Sequence, residues 1–374
     1  MTRTLLVTST RESIGKTAIA VALGRIAAGR GLSVGYMKPK GTRLRSVVGK
    51  TLDEDPMLAR ELLDTGAETH EMEPIVYSPT FIEGAVRGRE DPDALRDRIR
   101  ESFDGLAAGR DLVLVEGGGD VHTGAVVDLT DPAVADLLDA EVLLVAEYGE
   151  PGDVDEVLAA AADVGDRLAG VLFNRVDDAA YDTLEADVVP FLGSRGIETV
   201  GILPHRRDLA GVTVDRLAAE LGADLLTGGD TDALVERFLV GAMGGDAALR
   251  YFRRSRDAAV ITGGDRADIH TAAIEAGSVN CLVLTGGQRP PGSVLGAAEE
   301  AGVPVLLVSG DTLTTVERAE DVIRNGRTRD ERTVEVMEEL LAGHADVGRI
   351  IGNVAGEGGK EGEEGASGED DGSI

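Results

Sequence analysis

Gly15, Lys16 and Thr17 are the residues here whose types and order could do the most chemistry, because the apolar run Thr4–Val7 precedes them and Ala18–Leu23 follows. A chain that turns from strand into helix at such a tripeptide aims backbone amides at an anion. The lysine then sets a charge against phosphate oxygens, and the threonine hydroxyl ligates Mg²⁺. The loop departs from the strict G-x-x-x-x-G-K-[ST] pattern: Thr10 stands at the first glycine position, and Ser9 at that of a one-residue-longer variant. Ser13, Gly15, Lys16 and Thr17 are the expected nucleotide contacts, with Lys16 also placed to act on phosphoryl transfer.

Lys38 ends the next apolar run, Val34-Gly-Tyr-Met37, and with Lys40 sits beside the same crevice. The chain has only five lysines, so three of them between positions 16 and 40 mark that region as an anion site. Lys38 is expected to reach a γ-phosphate or a substrate carboxylate. Asp53-Glu-Asp-Pro56 offers carboxylates that either hold Mg²⁺ or act as N-terminal acids of a helix. Glu116 follows the apolar strand Leu112–Val115 and precedes three glycines, the place of a carboxylate that holds Mg²⁺ or orients a nucleophile. Asn174 and Arg175 end another strand, where an amide either exchanges hydrogen bonds with an adenine edge or closes its own turn.

Apolar runs at Thr4–Val7, Leu32–Tyr36, Leu112–Val115, Val142–Ala146, Gly170–Phe173 and Thr199–Leu203 must position these residues. They alternate with helical patterns such as Asp91–Ala108, Asp153–Leu168 and Asp178–Leu192. Such alternation predicts an α/β fold, a mostly parallel sheet with helices on both faces and its ligands at the carboxyl ends of the strands.

A second, smaller α/β unit is expected from near Asp230, where Ile261-Thr-Gly-Gly-Asp-Arg266 recurs as Leu284-Thr-Gly-Gly-Gln-Arg289. Ala272-Ala-Ile-Glu-Ala-Gly277 recurs likewise as Ala297-Ala-Glu-Glu-Ala-Gly302, and a third strand leads through Ser309-Gly-Asp-Thr312 into a helix at Leu313–Ile323. The Gly-Gly turns either permit tight strand-to-helix connections or form a pocket for a small anion, met by Arg266 and Arg289. From Gly356 to Ile374 the chain is almost devoid of apolar residues and is expected to be disordered.

The composition, 68 acidic against 37 basic residues with a formal charge of -31, disfavours nucleic acid and anionic membrane partners. With 50 glycines and 3% aromatic residues it points to the salt-rich cytoplasm of a halophile. The lone Cys281 lies in an apolar run and is expected to be structural, the five histidines share no ligand spacing, and no membrane-length apolar run occurs. The expected partners are ATP, Mg²⁺, a small anionic ligand of the second unit, further copies of the chain in a homo-oligomer, and an acyltransferase.

Taken together, Ser9-Thr-Arg-Glu-Ser-Ile-Gly-Lys-Thr17, Gly35-Tyr-Met-Lys-Pro39, Asp55, Val115-Glu-Gly-Gly-Gly119, Phe173-Asn-Arg-Val176 and Gly201-Ile-Leu-Pro204 resemble the dethiobiotin synthetase-type P-loop domain over residues 1–226. The resemblance implies ATP phosphates on Gly15, Lys16 and Thr17, Mg²⁺ on Thr17, Asp55 and Glu116, the γ-phosphate side on Lys38, and adenine at Asn174. Residues 227–353 resemble a DRTGG domain through Thr262-Gly-Gly-Asp-Arg266 and Gly310-Asp-Thr312, leaving 354–374 as an acidic tail. This order is similar to the amino-terminal regulatory half of long phosphotransacetylases, with no acyltransferase domain expected after the tail. It implies an ATP-binding regulator tied to acyl-phosphate and acetyl-CoA metabolism; the alternative is an ATP-dependent ligase that activates a carboxylate or carbamate. After Lys38-Pro39 the synthetases carry small residues that hold their substrate, whereas here Lys40-Gly41-Thr42 follows.

Overall fold

In the computed structural model, residues 2–352 are described except 43, 48–49, 207–208, 210 and 327–330. The acidic tail lies outside the described residues. Leu5, Leu6 and Val7 are fully buried in β1 (Arg3–Ser9), the continuous apolar run of a strand covered on both faces. β2 (Val34–Met37), β3 (Leu112–Glu116), β4 (Glu141–Ala146), β5 (Leu168–Val176) and β6 (Thr199–Pro204) complete a six-stranded sheet in the order β6-β5-β4-β1-β3-β2. Every pairing in it is parallel. The chain winds from β1 in both directions, to β3 on one side and β4 on the other, so a crevice opens beyond the end of β1.

That crevice receives α1 (Lys16–Gly29), whose Ile19, Val21 and Leu23 are fully buried, and α2 (Glu54–Leu63), which starts on the Asp53 carboxylate as an N-cap accepting from the Asp55 amide. α3 (Pro92–Ala107), α4 (Asp131–Leu138) and α5 (Asp153–Val164) flank the sheet. The expected helix Asp178–Leu192 is interrupted: Asp178–Thr183 and Val189–Gly193 are α-helical and Leu184–Val188 is a π turn. Pro190 lacks the amide that would extend the regular ladder, which accounts for the wider turn before it.

The second sheet is smaller. β7 (Asp224–Leu225), β8 (Arg237–Val240), β9 (Ala258–Gly263), β10 (Val279–Thr285) and β11 (Val305–Leu307) lie in the order β7-β11-β10-β9-β8, parallel but for β7. Strand alternation gives it two cores: Val260, Leu282 and Leu284 face one side, and Ile261, Cys281 and Val283 the other. α6 (Val214–Leu221) and α10 (Thr312–Gly326) cover the second of these faces, while α7 (Gly245–Phe252), α8 (Ala267–Ala276) and α9 (Gly292–Ala301) contribute to the first. Cys281 is fully buried and reduced, and burial pushes its thiol pKa up, so it serves packing.

α11 (Glu331–His344) and α12 (Val347–Ile351) follow this unit in the chain yet pack elsewhere. Val334, Met337, Leu340, Leu341, Ile350 and Ile351 join the core of the first sheet, and the Asp346 amide donates to Val200 O at 2.8 Å on the edge strand β6. The sequence grouped these residues with the second unit and placed Val212–Leu221 with the first. Packing does the reverse, because Val212, Val214, Leu217 and Leu221 are buried against the second sheet.

Candidate functional site

Gly15 caps α1 in the left-handed region at φ 101°, where a Cβ would lie 2.6 Å from Asn174 Nδ2. Only glycine fits both demands. Ser13, just before it, is also left-handed at φ 59°. The first turn of α1 carries no acidic residue, so its free amides and dipole face the crevice with no competing negative charge on the helix itself.

Lys16 is buried and folds back over the loop: Nζ donates to Ser9 Oγ at 2.6 Å and to the Gly119 carbonyl. Ser9, the departure from the strict motif, is thus the rest for the lysine. Thr17 Oγ1 donates to Glu116 Oε1 at 2.7 Å, and Tyr36 donates from its hydroxyl to Glu116 Oε2 at 2.5 Å. The Lys38 ammonium lies among three carboxylates, in contact with Asp55, 3.2 Å from Asp53 and 3.5 Å from Glu116. These side chains are at most 2% exposed.

Among the described residues, one ammonium here faces three carboxylates. Burial works against the Lys38 cation, but Asp55, Glu116 and Asp53 outweigh it and hold its pKa above the usual lysine range. Burial raises Glu116, with Lys38 opposing and Asp55 adding to the rise, and burial with the neighbouring Glu116 charge raises Tyr36. Glu73 joins from just after the helical turn Thr69–Met72: its Oε2 accepts from the Asp53 amide at 3.2 Å, and burial beside the Asp53 charge pushes its pKa up to about 7. Among the described residues no group of three or more His, Cys, Asp and Glu side chains has metal-site geometry. The donors that fit Mg²⁺ are a hydroxyl and two carboxylates, Thr17, Asp55 and Glu116, beside the Lys38 ammonium.

The sequence-expected residues therefore converge, with four differences. Asp53 both caps α2 and faces Lys38, so the two roles open to that acidic run coexist. Asn174 is 3% exposed and internally engaged: Nδ2 donates to Ile14 O at 2.8 Å and Oδ1 accepts from the Arg175 amide at 3.0 Å. One N–H and one lone pair are left for a base. Arg175 pairs with Glu147 at 3.2 Å.

Lys40 departs furthest from its expected place. It is 1% exposed, 2.9 Å from Asp131, and donates to Thr123 O at 2.6 Å and to Leu129 O. Asp131 also accepts from Thr8 Oγ1 at 2.6 Å and from the Gly118 amide at 3.3 Å. Lys40 therefore braces the glycine loop after β3 and does not join Lys38. Tyr36, Glu73, Asp131 and Arg11 were missed in the sequence; Arg11, inside the phosphate loop, is held 2.7 Å from Asp153 and 2.7 Å from Glu156. Only the placement of Arg11 within that loop was visible beforehand.

At the second sheet the expected turns meet along one edge and bond to one another. The Gly264 amide donates to Thr285 O at 3.2 Å, Gly286 to Gly310 O at 2.8 Å and Gly287 to Val308 O at 2.9 Å. Arg266 pairs with Asp268 at 3.3 Å and donates to Met243 O, whereas Arg289 is exposed.

A family profile described as an AAA domain matches residues 3–213, and one described as a DRTGG domain matches residues 216–322. A phosphate acetyltransferase of Pseudomonas putida is 26% identical over 365 residues, which cover 92% of this chain and 51% of the relative. A cobyric acid synthase of Syntrophobacter fumaroxidans is 29% identical over 259 residues, covering 62% of this chain and 50% of that protein. The chain spans about half the length of these curated relatives. Among solved structures, the CBS and DRTGG domains of the regulatory region of a Clostridium perfringens pyrophosphatase, in complex with diadenosine tetraphosphate, align at 16% identity and a TM-score of 0.29. That alignment covers 41% of this chain and 80% of the other.

Proposed function

We propose a function from one premise: the chain belongs to the AAA domain family, whose profile covers residues 3–213, more than half of its length. The first unit binds MgATP, and the second, DRTGG unit senses a small anionic metabolite and adjusts that binding. The chain acts as a regulatory partner in acyl-phosphate and acetyl-CoA metabolism, in keeping with the phosphate acetyltransferases among its relatives. A homo-oligomer, an acyltransferase partner and a salt-rich cytoplasm belong to the same proposal.

The amides at the start of α1 would bind the phosphates, and Lys16 would leave Ser9 and Gly119 to join them. Thr17, Asp55 and Glu116 would hold Mg²⁺, which when bound neutralises phosphate charge. Lys38 holds a proton among Asp53, Asp55 and Glu116, a fixed cation on the γ-phosphate side. The observation that favours sensing over ligation is Lys40. Where the synthetases keep small residues for their acceptor, this chain buries a lysine on Asp131 and two carbonyls.

The test is calorimetric titration with MgATP together with phosphate release in the presence of carboxylates and amines. Tight MgATP binding with phosphate release indifferent to every acceptor supports the sensor. Stoichiometric turnover with one acceptor establishes the ligase instead.

A further inference from the structure

A cleft opens beside Gly15 and Asn174 at the mouth of the phosphate loop. The first sheet supplies only its floor. One wall is the segment leaving β6, with His205 and Leu209; the other is α11, with Thr333, Met337 and Leu340. These walls are the two connections of the second unit. Leu209 still packs on the first core, the core of the second unit begins at Val212, and α11 rejoins the first core at Val334, so in the chain the second unit lies between these two walls.

The wall chemistry suits a flat aromatic ring. Leu209, Met337 and Leu340 are apolar, and a thioether adapts to a π-face. Polar groups converge from the floor, where Asn174 keeps one N–H and one lone pair. α11 itself is firmly seated: Val334 and Leu341 are buried against the first core, and Glu338 pairs with Arg25 of α1 at 2.5 Å.

We propose that Met337 and Leu340 of α11 form the wall on which the base of the bound nucleotide lies, so that the nucleotide bridges the two segments carrying the second unit. The proposal rests on the assignment of the phosphates to the loop before α1. It gives the second unit a physical route to the nucleotide: a ligand that moves either connection shifts a wall of the base cleft.

The test uses the full chain and two probes, MgATP and Mg-tripolyphosphate, which shares the phosphates and lacks the base. The wild type should favour MgATP, and Met337→Ala should erase about tenfold of that preference, the scale of a lost apolar contact in a pocket, while leaving tripolyphosphate binding unchanged. Met337→Leu should keep the preference. Hydrogen exchange should slow in α11 and α10 on adding MgATP and not on adding tripolyphosphate. A wild type that binds both probes equally would overturn the base wall and leave the phosphate loop standing; one that binds neither would remove the nucleotide assignment itself. Equal losses on both probes in Met337→Ala, or protection that ends before α10, would also overturn the proposal.

Discussion

Lys38 and Lys40 are two residues apart in sequence and each 1% exposed, yet they sit in opposite electrostatic situations. Lys40 meets one carboxylate, Asp131, and spends its other donors on carbonyls, while Asp131 is completed by Thr8 and the Gly118 amide. Lys38 meets three carboxylates. The first cluster pairs one ammonium with one carboxylate and closes its hydrogen bonds; the second, among the described residues, sets one ammonium against three carboxylates. A balanced buried pair is architecture, whereas a buried excess of one sign invites a counter-ion.

Removing either lysine tests that contrast most strongly. Lys40→Ala strands the Asp131 charge and should cost about 3–5 kcal/mol in urea unfolding, with no recovery on adding Mg²⁺. Lys38→Met should also destabilise the protein, but millimolar Mg²⁺ should restore much of the loss by supplying the missing positive charge. Equal behaviour of the two variants toward Mg²⁺ would dissolve the distinction.

The next effect concerns the lysine that must move. Lys16→Ala should weaken MgATP binding by about 1.5–3 kcal/mol, the scale of charge-assisted hydrogen bonds, with little change in unfolding midpoint. An unchanged Kd in calorimetry would remove Lys16 from the phosphate site.

Glu73 brings a further carboxyl beside Asp53. Its folded pKa of about 7 lies above the ordinary carboxylate value, so its contribution to stability is full below the unfolded pKa, falls as pH rises through the window between the two, and is lost above about 7. Glu73→Gln should flatten that decline and be about 1–2 kcal/mol more stable than wild type at pH 8, with no difference near pH 4. A variant that loses stability equally at both pH values would show that the carboxyl titrates normally.

The smallest expected effect comes from the surface. With 68 acidic and 37 basic residues, screening should raise stability by on the order of 1 kcal/mol from low to molar KCl. A flat or falling thermal midpoint would defeat the halophilic assignment.

The strands and the phosphate loop were legible because their signals are local. The run Thr4–Val7 before Gly15-Lys16-Thr17 became β1 and α1, and the carboxylate after Leu112–Val115 became Glu116 at the end of β3. The helical pattern Asp178–Leu192 was legible too, but periodicity does not show that Leu184–Val188 widens into a π turn before Pro190.

By itself the sequence determined which residue types stand at the ends of parallel strands, since burial on both faces demands continuous apolar runs and the loop chemistry lies within a few residues of them. Only the tertiary structure decided which charges meet. Thr17 and Glu116 are 99 residues apart, Lys40 and Asp131 are 91 apart, and α11 returns to α1 across the whole second unit. Alternation along a strand tells how its side chains divide between faces, but a buried lysine's partner depends on which distant loop the topology brings beside it. For that reason Lys38 and Lys40 read alike in the sequence and part company in the fold.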